Sequence, residues 1–449
     1  MPIIGDMSPA APPVESSRFP PLLRRFELWT ILFFAASTCF HLFMYLVLHK
    51  HGHLVYPFSL NSHDRFYDFT IFTDKFKLFH TAEFFKVGFP INYPAPVALC
   101  FEFFFKFAKP HEVFIFVSFC VLSFVVPAAF FGRALMRRGI SPWRAVLFVA
   151  IICLLSWPVD LIVDGANAEV FVWLALLIGM WAYATGRGWL AAAFFGVAAS
   201  MKLFPFVFLA LFFSRRQIGK LLFGAATFVV VSVVSLKVLG PTVAIAYRGI
   251  AFGLDSFKHN YMATFLIGEN GVDHSIFCSI KMFVHLFSLH TVQDFSRLLS
   301  VYLFVTSVGG ILLYFLVIRK LPLLNQVLTL SIASIYFTAF SGDGTLIHLY
   351  YPLAMLMLLA IQAYRDGVTI PGLSTIMYCM VFCLSMESFL VIGHGEQGLR
   401  FIGPAHAVGL GIMLVAALRY PLGPPLAERH DETVLSKPET MWVKVKPAA

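Results

Sequence analysis

The chain has 449 residues, of which 59% are hydrophobic, 16% are aromatic and 13% are charged. Soluble domains carry about 25% charged residues, and soluble chains of this length divide into domains with polar surfaces. The composition therefore excludes a soluble enzyme, a nucleic-acid-binding protein and a disordered protein. The net charge of +9 is instead expected from Lys and Arg on the cytoplasmic loops of a polytopic membrane protein.

Long apolar runs follow one another along most of the chain. A helix that crosses a bilayer needs about 20 mostly apolar residues. Runs near that length lie at 27–48, 112–131, 143–159, 166–184, 218–239, 300–318, 325–341, 346–363, 372–392 and 401–419. The polar segments 1–26 and 424–449 are expected to be disordered cytoplasmic tails, which leaves 27–423 as a single transmembrane domain.

The apolar run 189–213 admits two interpretations. As one spanning helix it would place Arg215 and Arg216 outside and invert every later loop, whereas as two short halves that meet near Lys202 it returns to the inside. The second interpretation leaves Lys202 and Arg400 as the basic residues of the short outer loops, which agrees with the positive-inside rule. We therefore predict an all-α polytopic membrane protein with about 12 transmembrane passes, in a range of about 10 to 13, and with both termini in the cytoplasm.

Two large loops, 49–111 and 240–299, then lie on the outer face. In the first loop the apolar residues 66, 69, 72, 76 and 79 have helical spacing, with charged residues between them. This pattern predicts an amphipathic helix in the membrane interface. Asp64 and Asp68 share one face of it if the helix begins early enough. The short apolar run 97–108 predicts a re-entrant or interfacial segment.

Lys202 lies deep in apolar sequence. A charged side chain near the bilayer centre costs about 2.5–3.5 kcal/mol on insertion scales, and such residues are usually functional. Its ammonium group either extends to the outer interface or binds a phosphate. Other polar residues expected near the outer face are Asn167, Glu169, Lys258, His274, Asp343 and His348.

Several of these stretches resemble glycosyltransferase family 87. Asp68-Phe69 and the later Tyr93-Pro94-Ala95-Pro96-Val97-Ala98-Leu99 are similar to the first outer loop of that family. The segment from Gly196 to Pro205, followed by Arg215-Arg216, resembles the family's most recognisable segment, and Asn167-Ala168-Glu169 also fits. The stretches 274–277 and 341–346 are similar more weakly. Residues 88–93 depart from the family, because they only approximate its Gly-x-x-Pro-Tyr pattern.

The resemblance implies a GT-C-like fold and transfer of a hexose, with mannose as the leading choice, from a polyprenyl-phosphate sugar to a hydroxyl of a lipid or glycan acceptor. By resemblance, Asp68 takes the place of the catalytic carboxylate and acts as general base with inversion at the anomeric carbon. Lys202 and His274, with Lys258 or His348, would hold the donor phosphate. Asp64, Asn167, Glu169 and Asp343 would support the site. The site would lie on the outer face of a bacterial cytoplasmic membrane, among membrane lipids and without nucleic acid.

Two further questions stay open at the level of sequence. A divalent metal is not favoured, because Asp64 and Asp68 have no clear third ligand. A multi-pass transporter or lipid flippase with Lys202 at its substrate or ion site would also explain the apolar runs, although transporter sites mostly lie near the bilayer centre. A scaffold subunit without chemistry would leave the buried lysine unexplained.

Overall fold

The chain folds into a bundle of helices of very different lengths. The computed structural model describes residues 19–47, 66–88, 90–264, 273–287, 294–385, 391–392 and 399–423. The helices of the first half are α1 (Pro21–Leu46), α2 (Tyr67–Thr70), α3 (Thr73–Phe76), α4 (Ala95–Phe107), α5 (Glu112–Arg137), α6 (Pro142–Leu154), α7 (Trp157–Gly165), α8 (Glu169–Ala184) and α9 (Gly188–Met201). Those of the second half are α10 (Ala210–Ser214), α11 (Ile218–Leu239), α12 (Val243–Phe257), α13 (Ile276–Phe287), α14 (Ser296–Leu316), α15 (Leu323–Tyr336), α16 (Tyr350–Arg365), α17 (Leu373–Leu384) and α18 (Ile402–Arg419). Two-residue strands, β1 (Val391–Ile392) and β2 (Leu399–Arg400), pair antiparallel.

Proline marks the beginning of several helices. Pro21, Pro96, Pro142 and Pro158 occupy the first or second position of α1, α4, α6 and α7, where the missing N–H has no intrahelical partner to lose. Helix α1 therefore begins at Pro21, inside the segment 1–26 that was expected to be a disordered tail. The other expected tail, 424–449, lies outside the described residues.

The structure has fewer full-length spans than the sequence suggested. Among the described residues, five helices are long and apolar enough to cross a membrane, or six if α6 and α7, bent by 61°, form one span. The prediction of about 12 passes is thus not confirmed. Helices such as α8, α9, α15 and α17 are apolar but have 12 to 16 residues, and at about 1.5 Å per residue they fall short of the roughly 30 Å hydrocarbon core.

The run 189–213 forms the hairpin that the charge pattern predicted. Helix α9 ends at Met201, Lys202 is extended (φ −147°, ψ 142°), and a 3-10 turn over Phe204–Leu209 leads into α10. Lys202 contacts Glu169 at the beginning of α8, whereas the Leu211 carbonyl accepts a hydrogen bond of 3.1 Å from Tyr183 near the end of α8. The chain has therefore returned along α8 to the end from which α9 started.

Basic residues that flank the helices gather at this second end of the bundle. The Arg215 guanidinium lies 4.9 Å from the centre of the Tyr183 ring. At the same end of the bundle, Arg365 donates to the Arg138 carbonyl, and Arg144 pairs with Glu27. This concentration of positive charge is typical of a cytoplasmic side.

The first outer loop differs from its prediction. Instead of one amphipathic helix, residues 67–76 form the two single-turn helices α2 and α3, separated by a turn. Phe69, Phe72 and Phe76 are buried; the Phe69 ring lies 5.5 Å from that of Phe101 in α4. The periodic aromatic face thus packs against protein rather than lipid, because α4 supplies an aromatic partner that the spacing alone does not reveal. The loop consequently holds α2 firmly against the bundle.

Candidate active site

Asp68 is fixed at the junction of α2 and α7. Phe66 adopts a left-handed conformation (φ 60°), and its N–H donates to the Asp164 carbonyl at 2.7 Å, which ties the beginning of α2 to the end of α7. Two residues further on, Asp68 Oδ2 accepts a hydrogen bond of 2.6 Å from Asn167 Nδ2. The carboxylate therefore has a defined orientation although it belongs to a helix of four residues.

Asn167 connects Asp68 with the next acidic residue. Helix α7 ends at Gly165, Ala166 is left-handed (φ 50°), and the chain turns into α8. Within this turn Asn167 Oδ1 accepts a hydrogen bond of 2.8 Å from the Glu169 N–H. Short polar side chains commonly satisfy the free N–H groups at a helix beginning in this way. The amide of Asn167 thereby uses its oxygen for α8 and its NH₂ for Asp68.

Glu169 is the centre of the polar group. Its side chain is 2% exposed, and it pairs through Oε2 with Lys202 Nζ and through Oε1 with His348 Nε2, the latter at 2.7 Å. Lys202 can reach it because α9 ends just before Lys202, and His348 because the 3-10 turn Asp343–Leu349 precedes α16. A buried carboxylate requires such partners. The Lys202 side chain remains 31% exposed, so the pair is fully buried only on its Glu169 side.

The electrostatics of the site favour a carboxyl that holds its proton more tightly than usual. Burial raises the pKa of Asp68, and this rise is opposed by the hydrogen bond from Asn167 and by the positive charge of Lys202. Burial and the negative charges of Asp68 and Glu169 raise the pKa of Tyr93 well above its ordinary value. Tyr93 therefore stands beside both carboxylates as a neutral phenol.

The other residues predicted for the site do not join the hydrogen-bonded group around Glu169 within the described part of the chain. The buried His274 has its Nδ1 at 3.1 Å from Nδ1 of His406 in α18. The backbone N–H of His274 donates to the Ser341 carbonyl. Lys258 is exposed on a single π-helical turn, Lys258–Met262. Asp343 begins the turn that carries His348. Asp64 lies outside the described residues; among those that are described, no group of three His, Cys, Asp or Glu could hold a metal ion.

The sequence indicated that Lys202 is important but did not predict that Glu169 is its partner. The sequence predicts Glu169 only as a supporting residue and Tyr93 only as part of a motif, and it does not point to His406. A signal for the pair was present, however: α8 and α9 form a tight hairpin, and Glu169 and Lys202 are nearly equidistant from its turn at Gly186. In an antiparallel hairpin two such residues lie side by side.

Comparison with known proteins gives one match. No curated protein and no solved structure matches the chain. The model of glycosyltransferase family 87 matches residues 92–392, which include Asn167, Glu169, Lys202 and His348, whereas Asp68 precedes the matched region. This match covers more than half of the chain and confirms the resemblance found in its motifs. The chain therefore belongs to glycosyltransferase family 87 and is an integral membrane glycosyltransferase.

Proposed function

We propose that the protein transfers a hexose, with mannose as the first choice, from a polyprenyl-phosphate sugar to a hydroxyl of a lipid or glycan acceptor. The reaction takes place on the outer face of a bacterial cytoplasmic membrane and inverts the anomeric carbon. Asp68 is the general base. The observation that supports this most directly is the connected group formed by Asp68, Asn167, Glu169, Lys202 and His348, in which a base and a cation lie side by side.

The charges of this group suit a phosphate leaving group. A phosphate is weakly basic and needs its developing negative charge stabilised more than it needs a proton. Lys202 is accessible and positively charged, and His348 Nδ1 is buried without a hydrogen-bond partner among the described residues. We assign the donor phosphate to Lys202, with protonated His348 as the second contact, because Nδ1 can donate to a phosphate oxygen only when both ring nitrogens carry protons. Glu169 then holds both side chains in position, and it balances the charge of Lys202 before the donor arrives.

The acceptor hydroxyl needs a base as it attacks. Asp68 takes its proton while the hydroxyl oxygen forms the new glycosidic bond and the bond from the anomeric carbon to the phosphate oxygen breaks. A carboxyl with a raised pKa is a stronger base than a free one once it is ionised. Two carboxylates that flank the bond, as in glycoside hydrolases, are not required. Membership of a glycosyltransferase family removes the support for a transporter in which Lys202 binds the transported substrate.

The test is transfer from labelled polyprenyl-phosphate hexoses in isolated membranes, with identification of the labelled product. Asp68→Asn should lower the rate by roughly 10²–10⁴-fold, the usual contribution of a general base. Glu83→Gln is the matched control, because Glu83 belongs to the same outer loop and forms an exposed pair with Lys86. If the Asp68→Asn protein is folded and transfers sugar at the wild-type rate, Asp68 is not the base.

A further inference from the structure

A cavity of about 420 Å³ lies on the predicted outer face, and its lining includes Asn92, the residue before Tyr93. One wall is the segment 90–92, and the other is the end of α12 with the π-helical turn that follows it. Asn92 in the first wall directly precedes Tyr93, whose ring lies 6.1 Å from that of Phe72, one turn beyond Asp68. The volume lies within the range of about 300–1,000 Å³ typical of small-molecule sites.

The lining of the cavity combines neutral polar groups with aromatic rings. The polar side chains are Asn92, Ser256, Asn260 and Thr264, and the aromatic ones are Phe257 and Tyr261. No charged side chain lines the cavity within the part of the chain that the structure describes. Amides and hydroxyls can each donate and accept hydrogen bonds, whereas a phosphate or carboxylate ligand would require a cation. This chemistry suits a neutral ligand with many hydroxyl groups.

Part of the hydrogen-bonding capacity remains available to such a ligand. Asn260 Nδ2 donates to Ser256 Oγ at 3.2 Å, which leaves the Asn260 carbonyl oxygen and the Ser256 hydroxyl hydrogen for other partners. Thr264 Oγ1 donates to the His259 carbonyl at 2.7 Å and can still accept. Asn92 Oδ1 is buried and has no partner among the described residues.

The walls of the cavity are held in place by close packing. Gly253 in α12 approaches Ile91 so closely that an added Cβ would overlap with the Ile91 carbonyl. Lys281 Nζ in α13 donates to the carbonyls of Tyr261 and Thr264 at 3.0 and 3.1 Å. The rings of Phe257 and Tyr261 stack with their centres 4.9 Å apart. The polar and aromatic groups are therefore positioned before any ligand binds, which lowers the entropy cost of binding.

We propose that this cavity is the acceptor subsite and that it binds a neutral hexose unit of a glycan or glycolipid. Its hydroxyl groups bind the amides and hydroxyls of the cavity, its C–H face lies on the aromatic wall, and the attacking hydroxyl points past Tyr93 to Asp68. The cavity thus supplies the recognition of the acceptor, while Lys202 and His348 hold the donor. The role of the cavity as acceptor subsite rests on the proposed function, whereas the binding of a neutral hexose does not.

The ligand can be tested without the reaction. Methyl α-D-mannopyranoside, methyl α-D-glucopyranoside and methyl α-D-galactopyranoside are titrated against the full-length protein in detergent, with saturation-transfer NMR as the readout. At least one of them should bind, and Ser256→Trp, which fills the cavity, should reduce the signal at least fivefold. Ser300→Trp is the matched control, because Ser300 is exposed on α14. Thermal unfolding of both variants within a few degrees of wild type shows that they are folded.

Three outcomes overturn the proposal. The first is absence of binding by all three hexosides to the wild-type protein, the second is equal binding by the wild-type and Ser256→Trp proteins, and the third is an equal loss in the Ser300→Trp control. Asp68→Asn keeps the two proposals distinguishable. If hexoside binding depends on the cavity but transfer does not depend on Asp68, the catalytic proposal fails and the binding site stands.

Discussion

Glu169 and Lys202 form an ion pair whose two members are unequally exposed. Glu169 is 2% exposed and Lys202 is 31% exposed. Removal of one partner of a buried pair leaves the other charge uncompensated, and the cost is large when the remaining group cannot reach water. The two residues therefore contribute to stability in different ways, although they share one interaction.

We expect Lys202→Met to destabilise the protein more than Glu169→Gln. The first change leaves a buried carboxylate with His348 as its remaining partner and should cost about 3–5 kcal/mol, whereas the second leaves an ammonium group on a side chain that is already 31% exposed. Thermal unfolding in detergent measures both. Lys86→Met, in the exposed pair with Glu83, should cost no more than about 1 kcal/mol. Equal destabilisation by Lys202→Met and Lys86→Met would contradict the structure of this pair.

Asn167 controls the pH range in which Asp68 can act. Its hydrogen bond favours the ionised carboxylate and so opposes the rise in the pKa of Asp68 that burial causes. A base must be deprotonated, so activity falls as the pH drops through this raised pKa. Asn167→Ala removes the hydrogen bond and should move the acid limb of the kcat/KM profile to still higher pH.

The measurement is the rate of labelled-sugar transfer by membranes between pH 4 and pH 8. Glu83→Gln should leave the acid limb where it is in the wild-type protein. A limb that stays in place or moves to lower pH in Asn167→Ala would show that Asn167 does not stabilise the ionised form of Asp68.

At the scale of elements, α9 and α11 approach each other at a pair of glycines. An added Cβ on Gly196 would overlap with the Gly224 carbonyl oxygen, and one on Gly224 would meet the Ala192 carbonyl at 2.9 Å. Small residues permit such close helix packing, as is common in membrane proteins. The contact fixes the lateral position of α9, and Lys202 is attached directly to its end.

Gly196→Ala should push α9 and α11 apart, because the overlapping atom belongs to the backbone and cannot rotate away. We expect a lower unfolding temperature and a loss of transfer activity. Gly309→Ala is the matched control, since Gly309 lies in α14 and an added Cβ would have no neighbour within 4 Å. Alanine is the better helix former by roughly 0.5–1 kcal/mol, so the control should be unchanged or slightly more stable. Similar losses in both variants would contradict the close approach.

The sequence predicted the elements unequally well. The hairpin of α9 and α10 was predictable because charge asymmetry decides on which side Arg215 and Arg216 lie, and this preference does not depend on packing. The first outer loop was not, because the spacing of Phe69, Phe72 and Phe76 is the same whether lipid or protein covers them. Lys202 was recognisable because a charged side chain in apolar sequence is costly to insert into a membrane. The role of Glu169 as its partner could not be predicted in the same way, because it depends on how α8 and α9 align. The contact of His274 with His406 joins the segment before α13 to α18, and two residues so far apart in sequence leave no local pattern.

At the scale of the whole molecule, the polar group and the arginines that flank α8 and α9 lie at opposite ends of these two helices. Glu169 and Lys202 lie where α8 begins and α9 ends, while Arg187 and Arg215 flank the opposite ends of these helices. The positive-inside rule assigns the second end to the cytoplasm. This assignment agrees with the proposed function, in which the site uses a lipid-linked donor on the outer face.

Labelling of single cysteines tests this orientation. In a variant without the seven native cysteines, Asp255→Cys should react with a membrane-impermeant maleimide in intact cells, because Asp255 is exposed beside the outer cavity. Arg216→Cys should react only after the membrane is opened. The reverse pattern would show that the proposed site faces the cytoplasm and would contradict the proposed function.

The shortness of α9 has a consequence for how deep the chemistry takes place. Its 14 residues rise about 21 Å, whereas the acyl-chain region of a bilayer is about 30 Å thick. With the Arg187 turn at the inner headgroups, Lys202 stops roughly 9 Å below the outer ones. Under the proposed function, a phosphate carried on a prenyl chain must therefore lie deeper than the neighbouring lipid headgroups, or the leaflet must thin around the protein. A thinner bilayer brings the outer headgroups closer to the depth of Lys202. Under the proposed function, membrane composition therefore affects how readily the donor phosphate reaches Lys202.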